Sequence, residues 1–214
     1  MNQEKVLVYE VPNFKTNEDR IHHIHALLNS LVEDMKFDKT LMCRYSFKSR
    51  DLVETNLNYV QINYQTLLYK EIDGEIYVFT NRKIANSSEQ RLMGRLNVFV
   101  GGHCNTDDIH NCGETILDYL KNNRDRELAE EIKMSIPIEQ AGLQYTSTLY
   151  TMDEPVSCYH ACLYDVYEIP IECEIEVLEK DKLEGKFYNI NDLLADDKLD
   201  TWSVLALLEL KAKI

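Results

Sequence analysis

The 214-residue chain has no apolar run near the roughly eighteen residues of a membrane span, no Cys-x-x-Cys pair, no internal repeat and a shortage of basic charge. Each absence excludes a class. No transmembrane helix is expected, and the opening Met-Asn-Gln-Glu-Lys lacks the apolar core of a secretory leader, so the sequence predicts a soluble, cytoplasmic protein with no membrane partner. Cys43, Cys104, Cys112, Cys158, Cys162 and Cys173 are scattered, which favours reduced thiols over a disulfide framework. With 23 basic against 37 acidic side chains the formal charge is −14, which argues against a broad surface for nucleic acid. A small nucleotide remains compatible, because one divalent ion and a few local arginines can receive phosphate inside an acidic protein. The single Trp202 reads as a packing anchor.

Local patterns divide the chain. Residues 5–9 read as a short strand ended by Pro12, and Thr16, three residues before Asp19, as the N-cap of a helix ending near Lys36. Ile21, Ile24, Leu27, Leu28, Leu31, Val32 and Met35 form its apolar stripe, while His22, His23 and His25 read as neutral solvent-side histidines. Tyr59–Leu68 is β-type, Asp73-Gly74 is a hairpin turn, and Glu75–Thr80 is its partner strand. Leu96–Val100 is a buried-type strand delivering the chain to Gly101-Gly102, where paired glycines permit a sharp turn and close approach to a ligand.

The loop from His103 to Gly113 holds His103, Cys104, His110 and Cys112, but without the short thiolate gap of a structural zinc site; Asp107 and Asp108 make it an acidic loop. A helix is predicted from Glu114 or Thr115 to Ile132, with core positions Ile116, Leu117, Leu120, Leu128 and Ile132 and a polar gap at 121–125 marking a kink or exposed turn. Strands are expected at 142–150, 156–169 and 171–178. A further strand from Gly185 leads into a short helix, and a last helix begins at Asp200 with core candidates Leu205, Leu208 and Ala212.

Near the end of the central helix stands Arg126-Glu127-Leu128-Ala129-Glu130-Glu131, with carboxylates at i, i+3 and i+4 on one face. Like charges at this spacing cost about 0.2–0.5 kcal/mol per pair, which solvation or a hard cation relieves. Arg126 and Lys133 could also pair with Glu130, making this an ordinary solvated surface.

Arg-Glu-Leu-x-Glu-Glu downstream of Val100-Gly101-Gly102-His103 resembles the signature of the Nudix hydrolases. Arg50-Asp51-Leu52-Val53-Glu54, Tyr59-Val60-Gln61-Ile62 and Arg91-Leu92-Met93-Gly94-Arg95 extend the resemblance to a subgroup of predicted Nudix phosphoesterases. There are departures. Asp108 follows Gly102 after five residues, but seventeen rather than seven then precede Arg126, an insertion of ten inside the motif. Aligning Gly113-Glu114 instead leaves eleven, about one extra helical turn, so Asp108 and Glu114 both stay open for the first acidic position. Lys133 stands where the family has glycine.

The resemblance implies an α/β fold, a Nudix-type α/β/α sandwich with a mixed sheet over 49–214, preceded by an N-terminal strand-helix extension over 1–48. The extension's stripe would pack on the core or across a homodimer interface. It also implies Mg²⁺- or Mn²⁺-dependent hydrolysis of a nucleoside diphosphate linked to another moiety, a small-molecule nucleotide substrate whose identity stays open. Metal ligands would come from Glu127, Glu130 and Glu131 with Asp108 or Glu114. Arg126 would steady a glutamate, and Gly101, Gly102, His103, Arg91 and Arg95 would meet substrate. Glu154 is the candidate general base. The alternatives are a nucleotide-binding sensor without catalysis and, resting on Cys104 or Cys162, an isoprenoid diphosphate isomerase on the same fold.

Overall fold

A computed structural model describes residues 4–32, 44–84, 94–109 and 115–214. Thr16 makes the expected cap: its Oγ1 accepts the Asp19 amide at 3.1 Å and donates to Asp19 Oδ2 at 2.8 Å, satisfying an otherwise orphan donor. Helix α1, Asn17–Val32, follows, with Ile24, Leu27, Leu28 and Leu31 buried; the predicted continuation to Met35 and Lys36 lies outside the described residues. Two of its histidines are not solvent-side as expected. His23 is half-buried against the Tyr9 hydroxyl at 2.9 Å, and His25 meets the Tyr150 carbonyl at 3.0 Å. Burial first, and the Arg44 charge second, hold the His23 pKa below its usual value.

The described chain forms two compact units: residues Met1–Gln65, Gly101–Arg126 and Thr146–Tyr164 in the first, and Thr66–Val100, Glu127–Tyr145 and Asp165–Ile214 in the second. In the first unit, β1 (Lys5–Glu10) lies antiparallel between β2 (Tyr45–Ser49) and the start of β3 (Tyr59–Ile72), with Val8 opposite Ser46 and Gln61. A short helix α2, Arg50–Val53, follows β2, and Arg50 bridges Glu4 and Glu54. Alternate residues Val60, Ile62 and Tyr64 of β3 join Leu7, Tyr9, the α1 stripe, Ala161 and Leu163 in one apolar core. Ile116, Leu117 and Leu120 enter the same core from α3, which runs Ile116–Glu131. That helix is continuous through its polar stretch, so of the two expected alternatives the kink is absent, and Lys121 and Asp125 are exposed.

In the second unit Asp73 (φ 53°) and Gly74 (φ 80°) make the hairpin turn between β3 and β4 (Glu75–Lys83), and β11 (Leu183–Asn189) pairs along the other side of β4. The strand expected over 96–100 is broken into β5 (Leu96–Asn97) and β6 (Phe99–Val100), because Ser203 Oγ takes the Val98 amide and Asn97 Oδ1 takes that of Phe99. β7 (Ile132–Met134) continues directly from α3. β8 (Gly142–Leu149) and β9 (His160–Glu168) pair with each other, and β9 also pairs with β3.

Only Ile175–Val177 of the expected 171–178 strand is extended, as β10 beside β7; Leu128, Ile132, Val177 and Leu183 share this unit's core. Asn189 caps α4 (Ile190–Leu194) and Asp200 caps α5 (Thr201–Lys213). The buried face of α5 is Ser203, Ala206, Leu207 and Leu210, whereas Leu205 and Leu208 are 41% and 53% exposed, the reverse of the expectation. Among the described residues, no helix is long and apolar enough to cross a membrane.

Leu28 has no solvent exposure in the first core. Leu28→Ala is expected to destabilise the protein by about 2–5 kcal/mol, read as a lowered denaturant midpoint.

Candidate functional site

Gly101 leaves β6 at φ 149°, a conformation that disfavours L side chains, and a Cβ there would stand 2.9 Å from Gln65 Cγ and 3.2 Å from Gln65 Cα. Only glycine lets the chain cross β3 so closely. The loop beyond is fastened on two sides. Cys104 O accepts the Leu7 amide of β1 at 2.7 Å, and the His103 carbonyl accepts from Asn123 Nδ2 and from an Arg126 guanidinium nitrogen, each at 3.1 Å.

A short 3₁₀ turn, Thr106–Ile109, then buries Asp108 to 1% exposure. Arg126 donates from Nε to Asp108 Oδ1 at 2.7 Å and from its terminal nitrogen to Oδ2 at 3.2 Å, while the Asn105 amide donates to Oδ2 at 2.8 Å. Asn122 Nδ2 reaches the Asp108 carbonyl at 2.7 Å. Asn122, Asn123 and Arg126, at i, i+1 and i+4 on α3, thus grip the loop together. The polar stretch that looked like a kink is the grip itself, and its asparagine pair within one turn of Arg126 was the available signal.

Asp108 therefore has both carboxylate oxygens engaged in holding Arg126 and the turn. For the candidate metal position, Glu114 lies outside the described residues, as does Arg91 for substrate contact. Among its partners the Arg126 guanidinium has the Asp108 carboxylate and the His103 carbonyl. Gly102 and His103 are half-exposed, and Glu154 is half-buried in the turn between β8 and β9. His160, which the sequence reading passed over, lies 3.3 Å from His103, nitrogen to nitrogen.

Arg95 and the three glutamates belong to the second unit. Arg95 and Glu130 are exposed, whereas Glu127 and Glu131 are intermediate. Glu130 adds to the field that raises the Lys182 ammonium pKa, chiefly through the Lys182–Glu179 hydrogen bond. Past the glutamates there is no glycine turn. Lys133 sits in β7 opposite Glu176 of β10, and the Leu178 amide donates to the Glu131 carbonyl at 2.8 Å. Strand pairing finishes this helix end, which removes the need for a left-handed residue there.

Hard carboxylate oxygens at i, i+3 and i+4, exposed or intermediate and carried on flexible stems, suit Mg²⁺ or Mn²⁺ in donor type. Among the described residues, no three His, Cys, Asp or Glu side chains are gathered closely enough to hold an ion. The donor chemistry fits a hard divalent cation.

No protein-family model matches the sequence. Protein YmaB of Bacillus subtilis strain 168 is 32% identical over 143 residues, which span 65% of this chain and 67% of that protein. In structure, the chain is similar to Tm1382, provisionally described as a Nudix hydrolase. The TM-score is 0.60 and the identity 19%, over 97% of this chain and 100% of that one. A Nudix hydrolase from Alicyclobacillus acidocaldarius aligns with a TM-score of 0.54 and 15% identity, over 72% of this chain and 91% of its own. An Ap4A hydrolase of C. elegans, in a binary complex, gives 0.50 at 15%, over 72% and 96%. Identities this low speak to architecture, and the sequence match speaks to kinship. The chain therefore belongs to the family of Bacillus subtilis Protein YmaB and is built on the Nudix fold.

Proposed function

We propose that this chain is a Nudix hydrolase cleaving the diphosphate of a nucleoside diphosphate linked to another moiety. Residues 49–214 supply the Nudix core and 1–48 its N-terminal extension. The observation that carries the reading is the grip of α3 on the glycine loop, because the Arg126 side chain that fastens the loop begins the same hexapeptide that presents Glu127, Glu130 and Glu131.

In this reading the three glutamates hold Mg²⁺ or Mn²⁺, which supplies charge neutralisation and a more acidic water. Gly101, Gly102 and His103 border the phosphates, with Arg91 and Arg95 as further substrate contacts. Water oxygen attacks phosphorus, the bridging phosphorus–oxygen bond breaks, and the proton of the attacking water passes to a base, for which Glu154 is the candidate. Arg126 steadies one of the glutamates and holds the loop through Asp108, acting on the reacting atoms only through them.

A nucleotide sensor without catalysis is the second reading. It is motivated by the insertion inside the motif and by Lys133 at the position where the family has glycine.

A panel of nucleotide sugars, ADP-ribose, dinucleoside polyphosphates and nucleoside triphosphates, incubated with Mg²⁺ or Mn²⁺ and resolved by mass, is expected to show cleavage of at least one diphosphate. Binding with no product across the panel would favour the sensor. Glu130→Gln and Glu131→Gln should each lower turnover by about 100-fold or more at unchanged melting temperature; full activity in both would remove the metal assignment. Asp108→Asn leaves the Arg126 guanidinium without its carboxylate, and is expected to cost about 3 kcal/mol in chemical denaturation.

A further inference from the structure

Strand β3 alternates two kinds of residue. Val60, Ile62 and Tyr64 enter the apolar core of the first unit, so Gln61, Asn63 and Gln65 between them project from the opposite face. Three primary amides at successive positions of one face are carried into the interior. Gln61 has no solvent exposure, Asn63 has 5%, and Gln65 is half-buried. Both amide atoms of Gln61, Oδ1 of Asn63 and Oε1 of Gln65 are buried without a hydrogen-bond partner among the described residues. A buried amide left unpaired works against folding, and native interiors rarely keep one. Here one strand face keeps three.

The row has a direction and a setting. Its Gln65 end lies against the glycine loop, where Gln65 Cγ is 2.9 Å from the position a Gly101 Cβ would take. Exposure falls from that end inward, so a group reaching the row meets Gln65 first and Gln61 last. The flanks are apolar. Val8 of β1 stands opposite Gln61 and clusters with Val6 and Val53. On β9, which also pairs with β3, buried Cys162 lies on the amide face, because its neighbours Ala161 and Leu163 enter the core on the other. All of these residues belong to the first unit.

We propose that Gln61, Asn63 and Gln65 form a recognition strip for a nucleobase, the base of the nucleotide whose diphosphate lies at Gly101-Gly102. A primary amide presents a donor and an acceptor side by side, the pattern that meets a base edge such as adenine N6 and N7 in two hydrogen bonds. Apolar flanks suit a flat ring with a polar edge better than a polyol, which carries hydroxyls on both faces. The unpaired amides are thus retained against stability because the bound base supplies their partners. The place of the nucleotide rests on the diphosphate reading above, whereas recognition of a base by the strip can be read without turnover.

The test follows the side-chain amide signals of the ¹⁵N-labelled 214-residue chain by NMR during titration with ADP, GDP, CDP and UDP, and with ribose 5-phosphate and inorganic pyrophosphate as baseless references. At least one nucleoside diphosphate should move the Asn63 and Gln65 amide signals, and the baseless compounds should leave them in place. Gln61→Met and Asn63→Leu remove the amides at similar volume. Each should raise the melting temperature by about 2–4 °C while weakening the preferred nucleoside diphosphate about tenfold. A lowered melting temperature in either variant shows that its amide is paired within the fold, and overturns the proposal. Amide signals that no nucleotide moves, or that ribose 5-phosphate moves as far as any nucleotide does, overturn it equally. Base-dependent shifts with no product in the hydrolysis panel leave the strip standing and count against the enzymatic reading alone.

Discussion

The ion pair between Arg126 and the buried Asp108 carboxylate is the contact on which the first unit's loop depends. Burying a carboxylate is costly unless its charge and lone pairs are met. Here the guanidinium meets both oxygens, the Asn105 amide meets one of them again, and Asn122 meets the Asp108 carbonyl. Because Arg126 also donates to the His103 carbonyl, the same side chain that neutralises Asp108 sets the height of the glycine loop over the helix.

Around that pair the remaining constraints are steric and hydrogen-bonded. Gly101 passes too near Gln65 for any Cβ, Cys104 ties the loop to β1, and His103 leans on His160. The N-terminal strand and helix take part fully, since β1 lies between β2 and β3 and α1 supplies four leucine and isoleucine side chains to the core. Arg20 extends their influence to the segment carrying Glu154 and Val156, spending its donors on neutral oxygens of Tyr150, Leu57 and Cys158.

The departures from the Nudix signature have structural counterparts. Lys133 stands where a glycine is expected because β7 and β10 finish the helix by pairing, and a strand residue needs no left-handed conformation. The placement of Asp108 on Arg126 accounts for the acidic residue six positions beyond Gly102: the buried carboxylate and the guanidinium answer one another. Strand patterns were less faithful where side chains compete for backbone donors. Asn97 and Ser203 break one expected strand, and α5 turns Ala206, Leu207 and Leu210 inward in place of Leu205 and Leu208.

The sequence alone determined what depends on neighbours in the chain. That includes the Thr16 cap, the α1 stripe, the Asp73-Gly74 hairpin, the acidic helix and the resemblance that named its fold. These follow from periodicity and from contacts a few residues apart, which the order of residues specifies directly. Only the tertiary structure decided where Arg126 points, that Asn122 and Asn123 grip a loop rather than mark a kink, and that His160 meets His103. Those contacts join residues 14 to 57 positions apart, and no local pattern encodes which distant partner will satisfy a buried donor or charge.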